Sequence, residues 1–238
     1  MSALAERLKH KYFGRDEHPY TTLEREIEGH LGPEVVLLDA GCGRGAPVLS
    51  KFAGRARRLI GVDVVEFLPG LDGLELVRGD LAATGLPDAS VDLVYSRSVM
   101  EHVADPARVY AEMQRILRPG GRFVFLTANL WDYASILAWI IPNRLHPWIV
   151  ARVEGRAEED VFPIQYRTNT RAAVEHWAAG SGFEVESFQH LGQYPAYFQF
   201  NGLLFWLATG YEKLIGRFRC LHGLRGWIFV VLGKPGRG

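Results

Sequence analysis

Five short runs of branched and aromatic residues recur along the first half of the chain. They are VVLLD (Val35 to Asp39), RLIGVD (Arg58 to Asp63), LELVRGD (Leu74 to Asp80), VDLVYS (Val91 to Ser96) and RFVFLTA (Arg122 to Ala128). Each is nearly continuous in apolar character, the pattern of a strand covered on both faces, so together they predict a parallel sheet. Between the last two the period changes to that of a helix. In ADPARVYAEMQRILRPGG, Asp105 can cap, Pro106 suits the first turn, and Arg118, Pro119 and Gly120 are expected to stop the helix. Strands alternating with helices through right-handed crossovers give a doubly wound α/β domain. Its ligands sit beyond the carboxyl ends of the strands.

Three glycines, Gly41, Gly43 and Gly45, fall at such an end, in VVLLDAGCGRGAP. Lacking a Cβ, Gly41 and Gly43 allow backbone N–H groups to approach a ligand closely. The spacing G-C-G-R-G is one residue shorter than the dinucleotide fingerprint G-x-G-x-x-G, which argues against a pyrophosphate ligand and a nicotinamide-dependent oxidoreductase. Asp39 precedes the turn, Asp63 ends the second strand and Asp80 the third. A carboxylate at Asp63 can accept from both hydroxyls of a ribose, and one at Asp80 from an exocyclic amine; the three together favour a nucleoside ligand.

Those blocks, with those that follow, resemble the class I S-adenosylmethionine-dependent methyltransferases. The resemblance covers residues 31–130 and rests on VLLDAGCGRG, GVDVVE, RGDLAATGLPDASVDLVYSRSVMEHVADP and LRPGGRFVFLTAN, in family order and spacing. It implies a Rossmann-like, seven-stranded, mostly parallel sheet ending in an antiparallel hairpin, with EVESFQHL and WIFVVLGKP as the hairpin strands. The helix of TRAAVEHWAAGSGF, capped by Thr170 or Asn169, would precede them. It implies S-adenosyl-L-methionine as cofactor, with Asp39, Gly41, Cys42 and Gly43 around its methionine part and Ser96 beside the sulfonium through its backbone. Asp63 and Val64 would meet the ribose side, and Asp80 with Leu81 the adenine. His102, in SVMEHV, is the best-placed general base for a hydroxyl acceptor, with a capping or packing histidine as the structural alternative. Some quinone-pathway members bind a divalent metal through E-x-x-E-H here. Ser98 stands in place of the first Glu, so Glu101 and His102 lack a third ligand and no metal is expected.

Composition narrows the rest. With 238 residues and 48% hydrophobic content, one domain over residues 1–238 is expected. Lys plus Arg equals Asp plus Glu at 27 each, and there is no Lys-rich stripe with interleaved aromatics, so nucleic acid is not an expected partner. Two cysteines make no disulfide framework, and the N-terminal stretch has no signal-peptide core, pointing to the cytoplasm. No apolar run reaches the ~18 residues needed to span a bilayer.

All six tryptophans follow Leu130, and four of them lie in two insertions beside the core, residues 131–169 and 194–226. The first, aromatic and broken by Pro142 and Pro147, reads as a lid over an acceptor. FPIQYRTN offers Gln165, Tyr166, Arg167 and Asn169 at the mouth of the site, or as a self-pinned loop. In the second, Leu203, Leu207 and Leu214 share a helical face that could be core or lid, a membrane or amphiphile surface, or a homodimer face. The N-terminal KHKYFGRDEHPYTTLEREIEGHLGP reads as a helix and loop from which Tyr12, His18 and Tyr20 could close over the cofactor. The expected activity is methyl transfer to a small or amphiphilic acceptor, at oxygen. A protein that keeps the pocket without chemistry stays open as the alternative.

Overall fold

The apolar runs become strands because their neighbours bury them from both sides. β1 (Val36–Ala40) is buried at all five positions and lies at the centre, paired in parallel with β2 (Arg58–Asp63) and β4 (Val91–Arg97). β3 (Glu75–Arg78) extends the sheet beyond β2, and β5 (Leu117–Ala128) beyond β4. The computed structural model, which describes residues 2–14, 18–140 and 162–236, adds an antiparallel hairpin. There β7 (Trp227–Gly233) pairs with β5, and β6 (Glu184–Leu191) with β7. The order β3-β2-β1-β4-β5-β7-β6 is the expected seven-stranded, doubly wound sheet, and it reverses direction between β1 and β4.

Alternate side chains of β1 feed two cores. Val36 and Leu38 join Ile60, Val94, Tyr110, Met113 and Val174 on one face. Leu37 joins Leu59, Leu93, Tyr95, Leu23 and Ile27 on the other. The first core is closed by α3 (Pro106–Ile116) and α5 (Arg171–Ser181), the second by α2 (Pro19–His30).

Local chemistry sets the helix ends. Asp105 accepts from the Arg108 N–H at 3.2 Å at the start of α3, and Thr170 from the Ala173 N–H at 3.2 Å at the start of α5. α3 ends at Ile116, however, earlier than the sequence pattern implies. Leu117 is wholly buried and pairs with Val91, so Arg118, Pro119 and Gly120 belong to β5, where the register skips to Arg122. Arg118 is held there by two bonds to the Asp92 carboxylate. Asn169, the alternative cap, is buried instead under the start of the first insertion, donating to Thr127 Oγ1 and the Ala128 carbonyl.

The insertions supply α4 (Tyr133–Ile140) after β5 and α6 (Gly202–Arg217) inside the β6–β7 hairpin. Asp132 accepts from the Ala134 N–H at 3.1 Å, and Asn201 from the N–H groups of Leu203 and Leu204. α1 (Ala3–Phe13) packs along α6. Pro142, Pro147 and Trp148, with most of the expected lid, lie outside the described residues. Among the described residues no helix is long and apolar enough to cross a membrane.

Candidate active site

The turn after β1 is fixed from below by β2. Gly41 sits at φ +90°, and its N–H reaches the Val62 carbonyl at 2.8 Å, with the Cys42 N–H following at 3.4 Å. Only glycine tolerates that backbone without strain. The Asp63 carboxylate spans the next step, accepting from the Gly43 N–H at 2.7 Å through Oδ2 and from the Val65 N–H at 3.2 Å through Oδ1. Each carboxylate oxygen has a second lone pair, so Asp63 keeps acceptor capacity toward a diol. A Cβ placed on Gly43, which has φ +71°, would meet no atom within 4 Å, so the rim of the turn faces open space. These features accommodate a nucleoside cofactor whose backbone contacts come from the turn and whose ribose meets Asp63.

Asp39 lies beneath the turn. It is 3% exposed, and Tyr95 donates its hydroxyl to Oδ2 at 2.6 Å. Burial raises its carboxyl to about 7, against the Tyr95 hydrogen bond and the charge of Arg97, which both lower it. The Cys42 thiol turns inward, where a Cβ on Gly61 would lie only 2.7 Å from its sulfur, and burial pushes its ionisation far up. Cys42 therefore offers a ligand only its backbone. Ser96 is wholly buried with its hydroxyl donated to the Ala40 carbonyl at 2.8 Å, so it too has only main chain to offer.

Farther along the rim, Val64 and Leu68 are half-exposed apolar side chains after β2. Leu81 is buried, while the exposed Asp80 uses one oxygen for the Ala82 N–H at 2.8 Å and leaves the other free of that bond. Thus Asp39, Gly41, Cys42, Gly43, Asp63, Val64 and Ser96 converge on the ends of β1, β2 and β4. Asp80 and Leu81 stand one strand outward, beyond β3.

His102 ends a single 3-10 turn, Met100–His102, that follows β4. Its Nδ1 lies 3.1 Å from the Pro163 carbonyl, which can only accept. Nδ1 therefore carries a proton, and in the neutral ring the lone pair is left at Nε2. The neighbouring Glu101 faces the other way, buried and accepting from the Thr127 hydroxyl, while its carbonyl receives the Gln165 and Tyr166 N–H groups at 2.8 and 3.0 Å. These bonds tie the FPIQYRTN segment to the 3-10 turn. The Asn169 Oδ1 is buried there with no hydrogen-bond partner among the described residues.

Arg97, Asp132 and Glu212 escaped the sequence reading, which named Arg97's neighbours His18 and Tyr20. Arg97, at the end of β4, lies over the Tyr20 ring at 4.4 Å and 3.9 Å from Glu24, bracing α2 across the site. Tyr20 Oη is 3.5 Å from Ser98 Oγ. His18 caps α2, and burial followed by Arg97 and Lys9 lowers its basicity. Asp132 and Glu212, from the two insertions, are both buried: burial lifts Asp132 to about 6, and burial plus the Asp132 charge lifts Glu212 to about 8. Glu212 was visible in sequence as the sole acid of an apolar helix. It lines a cleft of about 390 Å3 together with Phe13, Leu191, Gln193 and Arg225.

The raised Glu212 carboxyl makes the fold's stability depend on pH. Its proton stays on in the folded state up to about pH 8 but leaves the unfolded chain near its ordinary value of 4.5, so stability falls as pH rises between them. Asp132 opposes ionisation, and Arg225 and Lys213 favour it. Glu212→Gln is expected to remove the fall, amounting to about 2 to 4 kcal/mol at pH 8. Thermal unfolding of both proteins at pH 5 and pH 8 checks this; parallel pH dependences would contradict it.

A glycine turn at the switch point of a doubly wound sheet, with an acid closing the second strand, defines a nucleoside-binding α/β domain. Residues 38–125 match the family model described as "Methyltransferase domain". An S-adenosylmethionine-dependent methyltransferase of Mycolicibacterium smegmatis, named as probable, is 37% identical over 180 residues, covering 74% of this chain and 60% of that protein. The malonyl-acyl-carrier-protein O-methyltransferase of Methylococcus capsulatus is 37% identical over 165 residues, covering 65% of this chain and 54% of its own length. A crystal structure of an S-adenosylmethionine-dependent methyltransferase from Mesorhizobium loti superposes with a TM-score of 0.61 at 20% identity, covering 92% of this chain and 99% of that one. The chain thus spans 60% or less of the two curated relatives' length. The matched domain, the relatives and the sheet order together support a class I S-adenosylmethionine-dependent methyltransferase.

Proposed function

We propose that this protein transfers a methyl group from S-adenosyl-L-methionine to an oxygen of a small or amphiphilic acceptor. The observation that carries the reading is the Asp63 carboxylate held over the Gly43 N–H with spare acceptor capacity, beside an open turn. In this reading Asp63 binds the ribose hydroxyls, and Val64 and Leu81 flank the adenine. The free oxygen of Asp80 accepts from its amine. Gly41, Cys42 and Gly43 contribute backbone to the methionine part, Asp39 lends negative charge from beneath, and the Ser96 main chain lies beside the sulfonium.

When bound, the cofactor supplies a methyl already activated by its sulfonium. What remains for the chain is placement, which for a well-oriented pair can be worth ~7 to 11 kcal/mol. His102 takes the acceptor's hydroxyl proton at Nε2 as the oxygen–carbon bond forms and the sulfur–carbon bond breaks, and the Pro163 carbonyl steadies the imidazolium through Nδ1. Oxygen is favoured as acceptor atom because a base with an open lone pair stands just after β4. The residues 131–169 and 194–226 serve the acceptor side.

His102→Ala is expected to lower turnover by about 100-fold, within the range of general-base effects. S-adenosylhomocysteine affinity should stay within twofold. The readout is tritium carried from methyl-labelled cofactor into solvent-extractable acceptors. Equal turnover in the variant would remove His102 from the chemistry.

A further inference from the structure

α6 divides its residues sharply. Phe205, Thr209, Glu212 and Ile215 point into the protein and are buried. On the opposite side Leu203, Leu207 and Leu214 recur at helical spacing and are each more than half exposed, with Trp206 beside them at 54%. Phe200 before the helix and Phe218 after it extend the same apolar run and are exposed as well. An amphipathic helix normally turns its apolar side to the core. Here the outer side is also apolar, far beyond the scattered single hydrophobics of an ordinary surface.

The charges around that face are predominantly basic. From Gly202 to Gly226 the only acid is Glu212, and it is buried; Lys213, Arg217 and Arg219 are exposed. α1, which packs on α6 with Leu4 against Gly202, adds the exposed Arg7 and Lys11, set against one exposed acid, Glu6. The whole chain is neutral by formal count, so this basic rim is a local concentration. Sixteen residues are too few to cross a bilayer, and among the described residues no helix does so. An apolar face bearing Trp and Phe with Lys and Arg at its border is the build of a helix lying in a membrane interface.

We infer that the outer face of α6 docks on an anionic lipid surface, with Trp206, Leu203 and Leu207 entering the headgroup boundary and Arg217 and Arg219 meeting lipid phosphates. α6 leaves the sheet after Leu191 and returns at Trp227, on the edge where β1 and β4 also end. Docking therefore brings the mouth of the proposed methyl-transfer site toward the bilayer, where an amphiphilic acceptor resides. The docking itself does not depend on that activity.

The test is co-sedimentation of the full chain with vesicles of 30% phosphatidylglycerol in phosphatidylcholine, beside pure phosphatidylcholine. Binding is expected to the anionic vesicles, to weaken severalfold between 50 and 500 mM NaCl by screening, and to fall more than tenfold in Trp206→Glu/Leu207→Glu. Both side chains are exposed, so the variant's melting temperature and its response to S-adenosylhomocysteine should match wild type. Absence of binding to anionic vesicles, or equal binding by the double variant, overturns the inference. So does a wild-type dimer that the double variant dissociates without lipid, since the face would then belong to a second copy. Loss of the S-adenosylhomocysteine response in wild type would count against the methyl-transfer reading and leave the docking result standing.

Discussion

Asp63→Ala weakens S-adenosylhomocysteine binding by more than tenfold, at least about 1.4 kcal/mol. Two losses combine in that number. The proposed acceptor for the ribose hydroxyls disappears, and the Gly43 N–H loses the 2.7 Å bond that holds the turn in place. Asp63→Asn separates them, because its amide oxygen can still take the Gly43 N–H but a diol now faces one acceptor fewer; it should fall between wild type and Ala. Calorimetric titration of the three proteins, each shown folded by circular dichroism, is the check. An Ala variant that binds within threefold of wild type would take Asp63 out of the cofactor site.

The second large effect belongs to Gly41→Ala. A Cβ at Gly41 would lie 2.3 Å from Val99 Cγ2 and 3.0 Å from Cγ1, and the backbone there is at φ +90°, where an L side chain is strained. Strain of ~1 to 3 kcal/mol joined to overpacking of ~1 to 3 kcal/mol predicts a lowered melting temperature. At about 2 to 4 °C per kcal/mol for this size, the fall is roughly 4 to 24 °C. Affinity should drop too, since the Gly41 N–H anchors the turn to Val62. Val99 adjoins the 3-10 turn bearing His102, so the displacement reaches the proposed base as well. Gly41→Ala/Val99→Ala should recover the packing part and keep the backbone part. A single variant that melts with wild type would mean that the turn is not held as described.

How much of this could be read from the chain depends on the range of the interaction. β2 was legible to the residue, because an apolar run between polar residues needs only its own pattern, whereas β6 was legible through the family resemblance. The Asp105 and Thr170 caps, each bonding three residues ahead, were equally local. The end of α3 was not: what removes Leu117 from the helix is its pairing with Val91. The strand-end blocks were legible because a glycine turn and three acids recur at fixed distances. Their neighbours were hidden, since Tyr95 meets Asp39 across 56 positions and the Pro163 carbonyl reaches His102 across 61. The same holds for Asp132 and Glu212, which share a buried environment only because the two insertions fold onto each other through Tyr133, stacked on Phe198 and edge-on to Tyr211. The second insertion offered three readings, and α6 answers with two of its faces: one packs as core, the other is exposed.

The central claim is that the turn at Gly41 to Gly45 binds an S-adenosyl nucleoside. Thermal unfolding with S-adenosylhomocysteine, and separately with NADH, tests it most directly. Ligand at ~100 times its dissociation constant adds ~2.7 kcal/mol, which for this chain length raises the midpoint by roughly 5 to 10 °C. The account predicts that rise with S-adenosylhomocysteine and none with NADH; a rise with NADH alone, or with neither, would contradict it.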